Sequence, residues 1–295
     1  MHKEITILIG GEAGQGIQTI GALLARVCHN AGLFIFSVDD FESRIRGGHS
    51  FHLLRISTQL LTAPCLKPDI LVALDEKTHE YHKGTVSSRG IILFNSSEKR
   101  KEKSNIYNIP LEFLAEQAGG KIASNTVAAG VVLAIMGAAF KDLEHVLKEQ
   151  FVSRGQAMLD LNLKAGKSGY DIGKKINFSL SLDFNPVKHQ NMVMTGAKAA
   201  ALGALAADCR FFPFYPMSPG TPIISNLVKY SDQMPMVIEQ AEDEIAAVNM
   251  AIGASFAGVR SMTSTSGGGF CLMVEGLGLA GMTETPIVII NAQRP

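Results

Sequence analysis

The sequence predicts an α/β protein of two successive domains, each built on a parallel sheet that helices cover. Short apolar runs of strand length alternate with segments whose apolar residues recur at helical spacing. This alternation favours parallel pairing, because a helix carries the chain from one strand to the next. A length of 295 residues allows two domains, and a stretch rich in Gly, Lys and Ser separates two series of elements.

The first series contains strands and helices in alternation over residues 1–170. The predicted strands are "EITILI" (4–9), "LFIFSV" (33–38), "SFHLLRI" (50–56), "DILVAL" (69–74) and "GIILF" (90–94). The first helix follows "GGEAGQG" and has apolar residues on one face, at Ile17, Ile20, Leu23, Leu24 and Val27. Further helices are expected near 125–138, 142–150 and 153–166. Helical periodicity is absent from Gly166 onward, and we assign residues 171–191 to a linker.

The second series is a further α/β unit over residues 192–295. Its predicted elements are, in order, helix "GAKAAALGALAAD", strand "FFPF", turn "YPMSPGTP", helix "IISNLVKY", strand "MPMVIEQ", a helix after "EQAED", strand "RSMTST", a glycine turn, helix "FCLMVEGLGLAG" and strand "PIVIIN". The sequence ends directly after the last strand, and a parallel sheet rarely ends flush with its last strand. We therefore expect this domain to be incomplete at its C-terminus.

Composition excludes several classes of partner. Charged residues make up 18% of the chain, below the roughly 25% usual in soluble domains, which indicates extensive burial or wide contacts between subunits. Lys plus Arg and Asp plus Glu both number 27, so net charge does not favour binding to nucleic acid or to an anionic membrane. The longest apolar run, residues 127–140, fits a buried helix and is too short to span a membrane.

The N-terminus and the cysteines indicate a cytoplasmic protein. The apolar run in "MHKEITILIGGEAG" is too short for a signal peptide. The four cysteines lie far apart without a C-x-x-C motif, which is typical of reduced core cysteines. Their spacing predicts no Fe–S cluster and no zinc site in this chain.

The "GGEAGQG" segment between a strand and a helix resembles a phosphate-binding turn. Gly14 and Gly16 are the candidate contacts, because glycines let backbone N–H groups approach an anion. A nicotinamide-dependent dehydrogenase is one interpretation, since Asp39 and Asp40 stand near the expected ribose-binding acid. A G-x-G-x-x-G match from Gly14 has Thr19 in place of its third glycine. A tight turn without any ligand is the other interpretation.

Two arginines, Arg44 and Arg46, are followed directly by two glycines in "SRIRGGHS" (43–50). Arginine suits phosphates and carboxylates because its planar side chain donates two hydrogen bonds at once. The segment is therefore a candidate anion site. An ordinary turn with a solvated arginine pair is the alternative.

Two H-x-x-H pairs, His49 with His52 and His79 with His82, raise the question of a metal site. On a strand or loop this spacing suits a metal poorly, and no third type of ligand clusters nearby in the sequence. The prediction is that the chain has no metal site.

Three acids, Glu242, Asp243 and Glu244, open a helix that is otherwise mostly apolar. Acids in a first turn complement the helix dipole, worth about 0.3–1 kcal/mol each. That explanation suits Glu242 and Asp243, and it is weaker for Glu244, which the apolar face follows directly. Glu244 is therefore the candidate for a buried functional carboxylate.

These motifs together resemble one enzyme family. "GGEAGQGI", "SRIRGGHS", "VALDEKTHEYH" and "SNTVAAGVVLAIMG" are similar to the γ-type domain of 2-oxoacid:ferredoxin oxidoreductases. "FYPMSPGTP", the segment 239–269 and "NAQRP" resemble the pyrimidine-binding domain of the same enzymes. A γ-type domain followed by a pyrimidine domain is the order of the fused α subunit, which continues well past the end of this chain. The resemblance implies an N-terminal portion of that subunit.

The resemblance also implies roles for single residues. Glu244 matches the glutamate that hydrogen-bonds the pyrimidine ring of thiamine diphosphate and promotes its imino form. Ser218 matches a substrate-binding hydroxyl, and Arg294 an arginine that receives the 2-oxoacid carboxylate. The expected cofactor contacts are Tyr215, Pro216, Glu244, Ser266 and Gly267, the last two in a glycine turn whose alternative role is close helix packing. Possible contacts to an anion or coenzyme A are Gly14, Gly16, Arg44 and Arg46.

The rest of the cofactor site is expected on a partner. No G-D-G followed by a distant Asn occurs, so Mg²⁺ and the diphosphate half are assigned to a β subunit, together with an Fe4S4 cluster. The implied reaction is oxidative decarboxylation of pyruvate, 2-oxoglutarate or a related acid to acyl-CoA, with coenzyme A as co-substrate and ferredoxin as electron acceptor. The alternatives are a nucleotide-dependent dehydrogenase that uses the first domain and a non-catalytic assembly subunit.

Overall fold

The computed structural model describes residues 3–42, 48–97, 105–184, 191–231 and 233–293. The chain divides into two compact units, unit 1 up to Asn191 and unit 2 from Met192. Both units combine helices with parallel strands, which confirms the predicted α/β class. Over the described ranges, every helix is too short or too polar to cross a membrane.

A mixed sheet of six strands lies at the centre of unit 1, as far as its residues are described. The strands are β1 (Glu4–Glu12), β2 (Phe34–Phe41), β3 (His49–Ser57), β4 (Ile70–Ala73), β5 (Ile91–Phe94) and β6 (Ile106–Asn108), in the order β2-β3-β1-β4-β5-β6. β1, β4, β5 and β6 are parallel, whereas β3 is antiparallel to β1 and β2. The expectation of parallel pairing is wrong for β2 and β3, because the connection from Phe41 to His49 is too short for a crossover helix.

The helices of unit 1 pack around one very apolar helix. They are α1 (Ile17–Asn30), α2 (Glu76–His82), α3 (Leu111–Ala118), α4 (Ser124–Met136), α5 (Phe140–Phe151) and α6 (Gln156–Gly173). α4 is buried at every position from Thr126 to Met136 and contacts α1, α3, α5 and α6. A helix enclosed on all sides is apolar all round, which explains the long apolar run seen in the sequence.

The glycines after residue 165 belong to a helix, so the expectation of a linker from Gly166 is wrong. α6 continues to Gly173, and Leu180 is buried in the core of unit 1. A Cβ on Gly169 would lie 2.0 Å from the Val127 carbonyl oxygen of α4, and one on Gly173 would be similarly close to α4. These glycines therefore allow two helix backbones to approach, and the predicted linker 171–191 begins inside α6.

Unit 2 is built from a second set of alternating elements. They are α7 (Gly196–Ala206), β7 (Phe211–Phe214), α8 (Thr221–Ser231), β8 (Val237–Gln240), α9 (Glu244–Phe256), β9 (Met262–Thr265), α10 (Gly267–Leu272), α11 (Val274–Met282) and β10 (Val288–Asn291). β7 pairs with β8 and β9 with β10, all in parallel, and a parallel bridge from Phe211 to Ser261 links the two pairs. The single helix predicted over 270–281 is two helices that meet at the buried Met273.

The strands of unit 2 separate two apolar cores. Phe212 and Met262 pack with α7 and α8 on one face. Ile289 packs with α9 and α11 on the other face. Because successive side chains of a strand alternate between faces, Thr263 and Thr265 lie on the α9 face and Ser264 lies on the α7 face.

Candidate functional site

The carboxyl edge of the unit 2 strands brings together the turns that follow them. β7 leads into the turn 215–220, β9 into Ser266, and β10 into Ala292. The Ala292 N–H donates to the Thr265 carbonyl at 2.9 Å, and a Cβ on Gly220 would lie 3.3 Å from the same carbonyl. The ends of three strands therefore meet at the edge where parallel α/β sheets bind ligands.

Glu244 is the buried member of the three acids at the start of α9, with 3% of its surface exposed. Glu242 and Asp243 are exposed. Asp243 caps the helix, because its carboxylate accepts a hydrogen bond from the Ala246 N–H at 2.7 Å. The helix-dipole explanation fits the exposed acids, whereas the Glu244 side chain is turned into the protein interior.

Several buried oxygens on the α9 side of the strands have no hydrogen-bond partner among the described residues. They are Oε1 of Glu244, Oγ1 of Thr263, Oγ1 of Thr265 and Oδ1 of Asn291. Asn291 is the register partner of Thr265, so their side chains leave the strands on the same face. Buried polar atoms are costly unless they are hydrogen-bonded. The cluster therefore fits a polar ligand that enters from the carboxyl edge.

Gly269 has no side chain, which lets two of these oxygens lie close against it. A Cβ there would lie 2.0 Å from Thr265 Oγ1 and 2.7 Å from Glu244 Oε1. Any larger residue would therefore displace one of the two side chains. A Cβ on Gly267 or Gly268 would have no described neighbour within 4 Å, so close helix packing, the alternative role for this turn, is wrong for both. Sequence reasoning missed Thr265 and Gly269, although glycines that follow alternating Thr and Ser in "TSTSGGG" were a usable signal.

The other residues expected in this site follow the same strand ends. Tyr215 is half-buried, Pro216 and Ser218 are exposed, and Ser266 is buried as the N-cap of α10. The side chain of Ser266 makes no capping hydrogen bond. Arg294 lies outside the described residues. The roles given to these residues remain predictions.

The glycine loop of unit 1 has the backbone that only glycine adopts readily. Gly14 has a φ of 97° and Gly16, the N-cap of α1, a φ of 81°. A Cβ on Gly16 would lie 1.9 Å from Nδ2 of Asn125 at the start of α4. Gly14, Asn95 and Asn125 help to line a cavity of about 290 Å³ beside the loop. Arg44 and Arg46 lie outside the described residues, so an anion site here remains a prediction.

One histidine from each H-x-x-H pair meets the other across unit 1. The Nε2 atoms of His49 and His82 are 2.7 Å apart, which is a hydrogen-bond distance. Burial lowers the pKa of His82 to about 4, with the His49 charge as the next cause, and burial also lowers the pKa of His49. His52 bonds Asp39 instead, with 2.6 Å between Nδ1 and Oδ1. The two histidines of each H-x-x-H motif therefore do not pair with each other.

A group on α2 was not expected from the sequence. Ligand atoms of Glu76, His79 and Glu80 all lie within 4.8 Å of one another. Glu80 accepts a hydrogen bond from Lys83 at 2.5 Å, which lowers the pKa of its carboxyl group. Glu76 and Glu80 are exposed, and Lys83 supplies a positive charge to the group, so we assign no metal to it.

Comparison with known proteins gives the family. The family model described as pyruvate ferredoxin/flavodoxin oxidoreductase matches residues 6–172, which is more than half of the chain. The chain belongs to this oxidoreductase family. A second model, described as the thiamine diphosphate-binding part of pyruvate flavodoxin/ferredoxin oxidoreductase, matches residues 202–295. The resemblance stated from the motifs is therefore confirmed.

Curated relatives of the oxidoreductase match nearly the whole chain. The 2-oxoacid:ferredoxin oxidoreductase subunit alpha of a Sulfolobus species is 28% identical over 96% of this chain and 53% of its own length. The 2-oxoglutarate oxidoreductase subunit KorA of Mycobacterium tuberculosis is 29% identical over 99% of this chain and 51% of its own length. The chain thus spans about half the length of the curated relatives it matches.

A solved structure has the same fold over the full chain. It is the 2-oxoglutarate:ferredoxin oxidoreductase of Magnetococcus marinus with 2-oxoglutarate, coenzyme A and succinyl-CoA bound, and it matches with a TM-score of 0.87 at 29% identity. The match covers 100% of this chain and 53% of that chain. The α/β architecture of both units is therefore that of the family.

Proposed function

We propose that this chain is the α subunit, or the N-terminal portion of the α subunit, of a 2-oxoacid:ferredoxin oxidoreductase. The enzyme would decarboxylate pyruvate, 2-oxoglutarate or a related 2-oxoacid oxidatively to acyl-CoA and pass the electrons to ferredoxin. The observation that carries the proposal is Glu244, a buried carboxyl group with an unpartnered oxygen at the carboxyl edge of unit 2.

The residues around Glu244 fit the pyrimidine half of thiamine diphosphate. When bound, that cofactor supplies an electron sink for the carbanion left by decarboxylation. Glu244 would hydrogen-bond a pyrimidine ring nitrogen and hold a proton there, and its burial keeps water from competing for the bond. Because Gly269 has no Cβ, the carboxyl group of Glu244 can keep its position against the α10 backbone. The unpartnered oxygens of Thr265 and Asn291 give the site further polar groups.

Other residues of the carboxyl edge would bind cofactor and substrate. Tyr215, Pro216, Ser266 and Gly267 would line the cofactor. Ser218, exposed on the turn after β7, would donate its hydroxyl hydrogen to the substrate. Arg294 would form a bidentate pair with the 2-oxoacid carboxylate and orient the substrate before reaction.

In unit 1, the glycine loop and the arginine segment would bind coenzyme A. The proposed contacts are Gly14, Gly16, Arg44 and Arg46. Support comes from the left-handed backbone of both glycines and from the cavity beside them. The related Magnetococcus marinus enzyme has coenzyme A bound. A dehydrogenase that uses this loop has less support, because Asp39 is bonded to His52.

A β subunit would supply Mg²⁺, the diphosphate half of the site and the Fe4S4 cluster. All four cysteines of this chain are free thiols, two in each unit. Unit 2 also exposes large apolar side chains on α10 and α11 that suit a partner, at Leu272, Val274, Leu277, Leu279 and Met282. Free cysteines are also consistent with the proposed cytoplasmic location.

The test is performed on the enzyme assembled from this chain and the polypeptides that complete it. Glu244→Gln keeps the size of the side chain and removes its charge, so 2-oxoacid-dependent reduction of ferredoxin should fall at least about a hundredfold. Glu242→Gln, an exposed neighbour, is the matched control and should keep full activity. Near-normal turnover of Glu244→Gln would reject the role of this residue. Failure of the unmodified complex to bind thiamine diphosphate would favour an assembly subunit.

A further inference from the structure

Thr265 ends β9 at the centre of the carboxyl edge and has no exposed surface. Its backbone is held on two sides, since its carbonyl accepts from the Ala292 N–H and its Cα pairs with Asn291. As a β-branched residue it has few rotamers, so an anchored backbone also fixes the direction of its hydroxyl. That hydroxyl nevertheless has no partner among the described residues.

The Thr265 hydroxyl and the Glu244 carboxyl group both lie directly against Gly269. Seen from the point where a Gly269 Cβ would stand, Thr265 Oγ1 is 2.0 Å away and Glu244 Oε1 is 2.7 Å away. Both oxygens are buried, and neither has a hydrogen-bond partner in the described part of the chain. A hydroxyl donates one hydrogen bond, and a carboxylate oxygen accepts. The two groups are therefore complementary.

We propose that Thr265 is a positioning residue: when the cofactor is bound, its hydroxyl donates a hydrogen bond to the Glu244 carboxyl group and holds that group toward the cofactor ring. The inference rests on the proposed function. A glutamate side chain has three rotatable bonds, and burial among apolar residues alone does not select one direction for its carboxyl group. The structure shows no hydrogen bond between the two groups, so the bond forms when the Glu244 carboxyl group turns to meet the cofactor ring, and a fixed donor then selects its direction.

Ser264 provides a matched control on the same strand. Its hydroxyl is also buried and unpartnered among the described residues, and its side chain lies on the opposite face of the strands. Ser264→Ala removes a buried hydroxyl that does not face Glu244. Thr265→Val keeps the shape of threonine and removes only the hydroxyl, whereas Thr265→Ser keeps the hydroxyl.

The experiment measures the dissociation constant of thiamine diphosphate for the assembled enzyme in a double-mutant cycle. A hydrogen bond to a charged group is worth about a factor of ten or more, so Thr265→Val should weaken binding about tenfold. Thr265→Ser and Ser264→Ala should stay within about threefold of the unmodified enzyme. In a Glu244→Gln background, Thr265→Val should change binding less than about twofold, because its effect passes through Glu244.

The outcomes separate this inference from the proposed function. An unmodified complex that binds no thiamine diphosphate would reject both. If the unmodified complex binds the cofactor and Thr265→Val weakens binding equally in both backgrounds, Thr265 acts independently of Glu244 and the inference alone is wrong. Equal effects of Thr265→Val and Ser264→Ala would also reject the inference alone, since both would then be general consequences of losing a buried hydroxyl.

Discussion

Units 1 and 2 share a fold class and differ in what their interiors leave uncovered. Unit 1 has a large core that extends from β1 to α6 and a smaller one on the opposite face of its sheet, around Leu8 and Leu71. Unit 2 divides its buried apolar side chains between two smaller cores and exposes large apolar residues, including Phe256 and Met282. Four of the unpartnered buried oxygens in its described residues, those of Glu244, Thr263, Thr265 and Asn291, lie on the α9 side of the strands. Most of unit 1 packs on one large core, whereas unit 2 has smaller cores and a group of unpartnered oxygens beside one of them.

Two buried glycines, one in each unit, also differ in what they contact. Gly169 in unit 1 lies against a backbone carbonyl oxygen, that of Val127, and lets α6 approach α4. Gly269 in unit 2 lies against two side-chain oxygens, those of Thr265 and Glu244. A Cβ therefore collides in both places. In unit 1 it would push two helices apart, and in unit 2 it would displace a side chain of the proposed cofactor site.

The largest expected effect is on the stability of unit 1. Gly169→Ala should lower the free energy of unfolding by about 3 kcal/mol, because the new methyl group would lie against an immovable backbone atom. Gly203→Ala is the control, a glycine inside α7 with no described neighbour within 4 Å. It should raise stability by about 0.5–1 kcal/mol through helix propensity. Urea unfolding of both variants measures this, and equal stabilities would mean that α4 and α6 are not in close contact.

Gly269→Ala should affect binding more than stability, which is the opposite pattern. The methyl group would meet two side-chain oxygens, and the Glu244 side chain, which has three rotatable bonds, can turn away, so unfolding should change by about 1 kcal/mol. Thiamine diphosphate binding to the assembled enzyme should weaken about tenfold, because Glu244 or Thr265 would be displaced. The control is Gly268→Ala, because Gly268 directly precedes Gly269 in α10 and has open space around it. If both variants bind thiamine diphosphate equally well, the surroundings of Gly269 are not part of the cofactor site.

The sequence was sufficient to predict the helices with a clear period and the burial of Glu244. α1 and α4 show helical spacing or continuous apolar character over several turns, and both were predicted within a few residues. An acid followed directly by an apolar face is expected to be buried, and Glu244 is buried as expected, whereas its role stays a prediction. β6, α2 and α3 were missed because each is too short to establish a period.

Features that depend on contacts distant in sequence were not predictable. The glycines from Gly166 to Gly173 indicated a linker, because only the contact with α4 reveals that they are a packing surface. The pairing of His49 with His82 depends on how β3 and α2 lie on β1, and sequence spacing pointed to the wrong partners. Thr265 likewise gains its significance only from its position opposite Glu244.

Helix caps offer a finer comparison, within unit 2. Asp243 caps α9 and Thr195 caps α7, each accepting a hydrogen bond from a backbone N–H of the first turn. Replacing either by Ala should cost about 1 kcal/mol of stability. Only Asp243→Ala should also weaken thiamine diphosphate binding, by about threefold, because the Asp243 cap directs the next side chain, Glu244. Equal binding by the two variants would show that the cap has no role in orienting Glu244.

The smallest expected effect is an acid sensitivity that belongs to unit 1. Burial lowers the pKa of His82 to about 4, so the unfolded chain takes up a proton at a higher pH than the folded chain. The neutral pair with His49 therefore stabilises unit 1 fully above about pH 6.5, and this stabilisation is lost as the pH falls toward 4. Because the ring is half-buried, the loss by pH 5.5 should be below about 1 kcal/mol.

Thermal unfolding as a function of pH measures this loss. His82→Phe keeps a ring and removes the titrating group, so its melting temperature should fall less between pH 7 and pH 5 than that of the unmodified chain. His145→Gln, which removes an exposed histidine of the same unit, is the comparison variant. A His82→Phe variant as acid-sensitive as the unmodified chain would place the sensitivity elsewhere. An acid sensitivity located in unit 2 would show that the His49–His82 pair does not set the pH dependence of stability.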